Sequence, residues 1–139
     1  MSKPLPAFSL DARLRADTTF ICDWPLSRVL LVNDSRYPWL LLVPRRSGVR
    51  ELYELELDDQ VQLGRESLRL AELMSSHFAA DKMNIAAIGN VVSQLHVHQV
   101  ARFTSDATWP GTVWGVGAAI PYTETALANA VEQLRALLA

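Results

Sequence analysis

The apolar pattern changes its period partway along the chain, and this change constrains the fold more than any other feature. Before Asp58, apolar residues stand in short runs bounded by turn-forming residues, at 18–22, 27–33 and 39–44. Runs of this kind, rich in β-branched and aromatic residues, predict β-strands. After Asp58 the apolar residues recur every three or four positions over 61–78, which predicts one long amphipathic helix.

Two further strands and a second helix follow the long helix. Residues 84–88 and 95–103 are typical of strands joined through a glycine turn, and the apolar stripe over 127–138 predicts a short C-terminal helix. Asp58 or Asp59 is expected to cap the long helix, because its carboxylate can accept hydrogen bonds from the first free amides. A long helix within mainly antiparallel strands predicts an α+β domain.

The composition fits one globular domain and excludes several classes of protein. The chain has 139 residues and a formal net charge of -2, so it has no basic excess for binding nucleic-acid polymers. Its single cysteine, Cys22, cannot form an intrachain disulfide, which favours a reducing compartment. The apolar run at 38–44 is too short to cross a membrane. We therefore expect one cytoplasmic domain over 1–139, with an N-terminal extension at 1–17 and a C-terminal helix at 118–139.

The segment with most chemical content is a strand that carries alternating polar residues. Gln94, His96 and His98 share one face of this strand, whereas Leu95 and Val97 occupy the other. Residues two positions apart on a strand are separated by about 6.5–7 Å along the backbone, so two imidazoles at this spacing can contact one small ligand. A solvated strand face and a zinc or copper site are the competing interpretations. The sequence offers no evident third ligand nearby, so we expect no metal.

A family resemblance strengthens the catalytic interpretation. The stretch from Gly89 to Arg102, GNVVSQLHVHQVAR, resembles the signature of the histidine triad (HIT) superfamily: a glycine-led turn, alternating histidines and a following arginine. Residues 31–33 and 41–45 resemble the family's ribose-binding strand end and its next strand, and Trp-Pro-Gly at 109–111 resembles a loop of phosphoramidase-like members. The matches run in order from about residue 20 to 115. Gln94 stands at the first histidine, which makes this a Gln-x-His-x-His variant.

The resemblance implies both a fold and an activity. The fold is α+β, with a mainly antiparallel sheet of five or more strands, one long helix and a short C-terminal helix. The activity is hydrolysis of a nucleoside phosphate derivative, a dinucleoside polyphosphate or a nucleotide phosphoramidate, through a nucleotidyl-histidine on His96. His98 would stabilise charge on the phosphate, and the Gln94 side chain would orient His96. No cofactor is implied, and relatives usually form homodimers through the long helix and an adjoining strand.

The same resemblance suggests residues that bind the nucleotide. Asn33 resembles a residue that hydrogen-bonds the ribose, with Asp34 as its neighbouring alternative, although both fit turn initiation equally well. Asn84 resembles a polar position near the phosphate. The remaining predicted contacts are main-chain N–H groups toward the phosphate, around Gly89, Asn90 and Val91.

Two departures from the family pattern leave a second function open. Gln94 replaces the first histidine, and Trp39 aligns with a further histidine that relatives carry. A non-catalytic nucleotide-binding or regulatory module of the HIT fold is therefore the alternative. The basic cluster of Arg45, Arg46 and Arg50 fits a solvated face or a polyphosphate clamp. Three tryptophans are assigned to packing or dimer contacts: Trp24, Trp109 and Trp114.

Overall fold

The computed structural model describes residues 7–139 of the chain, and positions 1–6 of the expected N-terminal extension lie outside the described residues. Within this part, five strands form one antiparallel sheet in the order β1-β2-β3-β5-β4. The strands are β1 (Thr18–Asp23), β2 (Ser27–Val32), β3 (Trp39–Pro44), β4 (Lys82–Ala86) and β5 (Val97–Arg102). The helices are α1 (Ala12–Asp17), α2 (Leu57–Phe78) and α3 (Glu124–Leu138). The predicted α+β fold is confirmed.

The boundaries of the last two strands differ from the prediction. The strand expected at 84–88 runs from Lys82 to Ala86, and the strand expected to begin at residue 95 begins at Val97. The reason is pairing, since Lys82 lies opposite Arg102, Ala86 lies opposite His98, and Val97 lies opposite Leu42 of β3. Strand structure therefore extends only as far as the partner strand does, whatever the local apolar pattern.

Each face of the sheet packs against different helices. The face toward α2 and α3 contributes most of the core, with buried residues that include Val29, Leu31, Leu40 and Leu42. The opposite face carries a smaller cluster in which Leu14 of α1 packs with Leu30, Leu41 and Val43. Because Leu41 lies opposite His98 in register, the histidine projects from the α1 face.

The start of α2 differs from the expected cap. Its N-cap residue is Glu56, whose side chain makes no capping hydrogen bond, while Asp58 and Asp59 lie in the first turn. The expectation that one of these aspartates is the cap was therefore wrong. Both carboxylates still lie where the helix dipole favours negative charge, and Asp59 is paired with Arg46 at 2.6 Å.

One side of the molecule exposes apolar side chains along α2 and at the edge strand β4. Leu57, Val61 and Leu68 of α2 are at least half exposed, and Ile85 of β4 is 46% exposed. A cavity of about 630 Å³ lies between these two elements. No helix in residues 7–139 combines the length and apolar character needed to cross a membrane.

Candidate active site

The two histidines of the motif lie side by side, His96 immediately before β5 and His98 as its second residue. Their ring centroids are 4.9 Å apart with the planes inclined by 64°. Both rings line a cavity of about 490 Å³, which we call the histidine cavity. Its other walls come from α1, the loop at 88–92 and the loop after β5: Arg13, Asp17, Ile88, Gly89, Asn90, Val91, Val92, Trp114 and Gly115. Leu95 and Val97 point the other way into the core, as the strand alternation predicts.

The ring of His96 is held by a main-chain oxygen. Its Nδ1 lies 2.7 Å from the carbonyl oxygen of Gln94. A carbonyl can only accept a hydrogen bond, so Nδ1 carries the hydrogen, and in the neutral ring Nε2 keeps its lone pair. His96 therefore presents one fixed nitrogen that can act as a nucleophile.

The Gln94 side chain does not perform the orienting role predicted for it. Its Oε1 accepts a hydrogen bond from the main-chain N–H of Asp11, and its Nε2 donates to the carbonyl of Ser9, both at 2.9 Å. The structure corrects the prediction, because the main-chain oxygen of Gln94 orients His96 while the carboxamide holds the segment before α1. Asp11 in turn caps α1 by accepting hydrogen bonds from Arg13 and Leu14.

The protonation state of His98 follows from its neighbours. Its Nδ1 lies 3.0 Å from Nε1 of Trp39, and an indole N–H can only donate. Nδ1 is therefore the acceptor, and in the neutral ring Nε2 carries the hydrogen. Burial, and secondly the charge of His96, lowers the pKa of His98 to about 4. At neutral pH, His98 is an uncharged hydrogen-bond donor through Nε2.

Trp114 is a cavity residue that the sequence interpretation assigned elsewhere. Its ring lies 5.4 Å from the ring of His98 and 6.3 Å from that of Trp39, both in edge-on geometry. The two indoles therefore both lie against the His98 ring. The signal available in the sequence was the cluster of tryptophan and glycine at 109–117, which is unusual for a surface loop.

An ion pair behind the cavity fixes the loop that carries Trp114. Arg102 of β5 donates to both carboxylate oxygens of Asp106, at 2.7 and 3.0 Å, and both side chains are almost fully buried. Asp106 also accepts hydrogen bonds from main-chain N–H groups of Phe103, Thr108 and Trp109. The hydrogen bond from Arg102 is the main reason that the pKa of Asp106 falls to about 2. This pair therefore clamps the loop onto the sheet.

The structure brings only some of the predicted nucleotide contacts to the cavity. Gly89, Asn90 and Val91 line it, whereas the lining residues within 7–139 do not include Asn33, Asp34 or Asn84. These three side chains have other partners: Asn33 accepts from the N–H of Tyr122, Asp34 pairs with Arg36, and Asn84 accepts from Arg102. Their contacts with ribose and phosphate therefore stay predictions.

The arginine cluster divides into separate roles. Arg45 donates to the carbonyls of Trp24 and Leu26, and Arg46 pairs with Asp59. Arg50 lines a smaller cavity of about 240 Å³ that also reaches His96. For metals, residues 7–139 contain no group of three or more His, Cys, Asp or Glu side chains placed to hold an ion.

The fold and the paired histidines define a histidine-triad type of domain. The family model described as the HIT domain matches residues 13–105, which is more than half of the chain. The chain belongs to the HIT family. Comparison with curated protein sequences finds no match.

Several solved structures resemble the chain over nearly its whole length. A histidine triad protein from Bradyrhizobium japonicum is 46% identical, with a TM-score of 0.93, and the match covers 96% of this chain and all of that one. One from Marinobacter aquaeolei is 47% identical, with a TM-score of 0.93 and coverage of 96% and 97%. One from Sinorhizobium meliloti is 42% identical, with a TM-score of 0.89 and coverage of 91% and 94%.

Proposed function

We propose that this protein hydrolyses a nucleoside phosphate derivative, a dinucleoside polyphosphate or a nucleotide phosphoramidate, through a nucleotidyl-histidine on His96. One observation carries this proposal. The Nδ1 hydrogen of His96 is held by a main-chain carbonyl, and the ring lines a cavity beside a neutral His98. A nucleophile and a hydrogen-bond donor therefore face the same space.

In the first step, the lone pair on Nε2 of His96 forms a bond to the α-phosphorus. The bond from phosphorus to the leaving group breaks, and the leaving group departs with the electron pair and takes up a proton from solvent. The imidazole gains positive charge as this happens, and the hydrogen bond from Nδ1 to the Gln94 carbonyl stabilises it. His98 donates through Nε2 to a phosphate oxygen, where negative charge develops.

In the second step, water attacks the phosphorus of the nucleotidyl-histidine. The phosphorus–nitrogen bond breaks, its electron pair returns to Nε2 of His96, and the water loses a proton as the nucleoside monophosphate forms. Main-chain N–H groups of the turn at Gly89, Asn90 and Val91, which line the cavity, are the proposed donors to the phosphate oxygens.

The test is turnover of two substrate classes by the wild type and by His96→Ala. Incubation with adenosine phosphoramidate and with diadenosine polyphosphates should release AMP, and this release should vanish in the variant. His77→Ala is the matched control, because His77 lies in the last turn of α2 and does not line the histidine cavity. Wild-type activity in His96→Ala would refute the assignment. A phosphorus-linked adduct trapped on His96 would support it directly.

The alternative of a non-catalytic nucleotide-binding module is favoured by one observation. The side chain at the first triad position is directed to Ser9 and Asp11 instead of the nucleophile. Calorimetry separates the two functions, because AMP binding without turnover of either activated substrate would support the module.

A further inference from the structure

The segment before and within α1 forms one wall of the histidine cavity. Arg13 and Asp17 of α1 line this cavity together with His96 and His98. The segment is joined to the residues just before β5 by the two hydrogen bonds of the Gln94 carboxamide, which span 83 and 85 residues of sequence. The first triad position is thus used to hold a cavity wall in place.

Among residues 7–139, the Arg13 side chain has only one weak ionic contact. Its closest ionic contact is a 3.9 Å approach to Asp17, and both side chains are about two-thirds exposed. Exposed pairs of this kind contribute little to stability and are readily exchanged for another partner. Within residues 7–139 the Arg13 side chain has no hydrogen bond, and it is the one lysine or arginine among the residues lining this cavity.

We propose that Arg13 binds the phosphate chain of the leaving group, which makes the site selective for nucleoside polyphosphates over phosphoramidates. Gln94 is the positioning residue that holds Arg13 in the cavity wall. This inference rests on the function proposed above and narrows its substrate class.

The chemistry of the attack supports this assignment. A phosphoryl group is displaced roughly in line, so the leaving group departs on the side of phosphorus opposite the His96 ring. It then faces the other walls of the cavity, one of which is α1. A guanidinium binds a phosphate through two parallel hydrogen bonds. The leaving group of a phosphoramidate is an uncharged amine, which offers the guanidinium no such partner. Asp17 competes for Arg13, so its carboxylate limits the affinity.

The kinetic test compares the selectivity of the wild type with that of Arg13→Gln. The measured quantity is the ratio of kcat/KM for diadenosine triphosphate to kcat/KM for adenosine phosphoramidate. Loss of charged hydrogen bonds should lower this ratio by about tenfold or more. Arg15→Gln is the matched control, because Arg15 lies in the same helix, donates to the Leu10 carbonyl and does not line the histidine cavity. An unchanged ratio in Arg13→Gln overturns the proposal.

A binding test keeps the inference separate from the question of turnover. Calorimetry measures the affinities for AMP and for a methylene-bridged adenosine triphosphate analogue. Arg13→Gln should lower the affinity for the analogue by about tenfold and the affinity for AMP by less than about twofold. Asp17→Asn should raise the affinity for the analogue, because it removes the carboxylate that competes for Arg13. Equal effects on both ligands overturn the role of Arg13, even if the wild type turns over neither substrate and the proposed hydrolase activity fails.

The role of Gln94 is tested by a double-mutant cycle. Gln94→Ala should lower the same selectivity ratio and raise KM for the polyphosphate more than it lowers kcat. If Gln94 acts by holding Arg13, adding Arg13→Gln to Gln94→Ala should change the ratio by less than about twofold. Additive effects of the two substitutions overturn the positioning role.

Discussion

The buried His98 predicts a specific dependence of stability on pH. Its pKa is lowered from an ordinary value of 6.5 to about 4 in the folded protein. Between these two values the unfolded chain binds a proton at this position and the folded protein does not. Stability is therefore lost as the pH falls from 6.5 toward 4, and this group causes no further loss below that.

The size of the effect follows from the two pKa values. The difference between 6.5 and about 4 is roughly 2.5 units, and each unit corresponds to about 1.4 kcal/mol. His98 should therefore remove about 3 kcal/mol from the free energy of unfolding between pH 7 and pH 4. That is a large fraction of the stability of an ordinary domain, which is about 5–15 kcal/mol.

The assay is urea unfolding at several pH values, followed by tryptophan fluorescence, for the wild type and His98→Gln. Carboxylates that titrate in the same range are common to both proteins and cancel in the difference. The fall in the free energy of unfolding between pH 7 and pH 4 should be smaller in His98→Gln by about 3 kcal/mol. His77→Gln, which keeps His98, should retain most of the drop. Equal drops in the wild type and His98→Gln would show that the burial argument is incorrect.

Two further predictions concern the surroundings of the histidine cavity, and a third concerns the apolar surface of α2 and β4. Trp39→Phe leaves Nδ1 of His98 without its donor, so it should reduce stability by about 1–3 kcal/mol and lower kcat; unchanged thermal unfolding and kinetics would contradict this. Asp106→Ala leaves the buried Arg102 without its ionic partner and should lower the free energy of unfolding, measured in urea, by about 3–5 kcal/mol. A decrease below about 1 kcal/mol would contradict the role of this ion pair in holding the loop. We also propose that α2 and β4 form a homodimer interface, because both expose apolar residues and β4 is an edge strand. Ile85→Lys should then lower the sedimentation coefficient from the value of a dimer to that of a monomer. A monomeric wild type would refute the interface.

The sequence alone determined the features that depend on local periodicity. Period-two and period-3.6 patterns predicted the strands, the long helix and the α+β class, because side-chain direction in each element repeats within a few residues. The same alternation placed His96 and His98 on one face and Leu95 on the other. The family was identified from the histidine motif together with the further matches in order from about residue 20 to 115. The element and face inferences each use residues that are near one another in the chain, and the family inference uses short motifs in a fixed order.

Tertiary structure decided which polar groups meet. Trp39 and His98 are 59 residues apart, and Gln94 and Asp11 are 83 apart, so no local pattern indicates either hydrogen bond. Asn33 looked like a ribose ligand, yet its oxygen accepts a hydrogen bond from the segment before α3. A polar side chain has several possible partners, and the packing of distant elements selects among them because a buried donor or acceptor must be satisfied. The chemistry of the site therefore follows from contacts that only the folded chain creates.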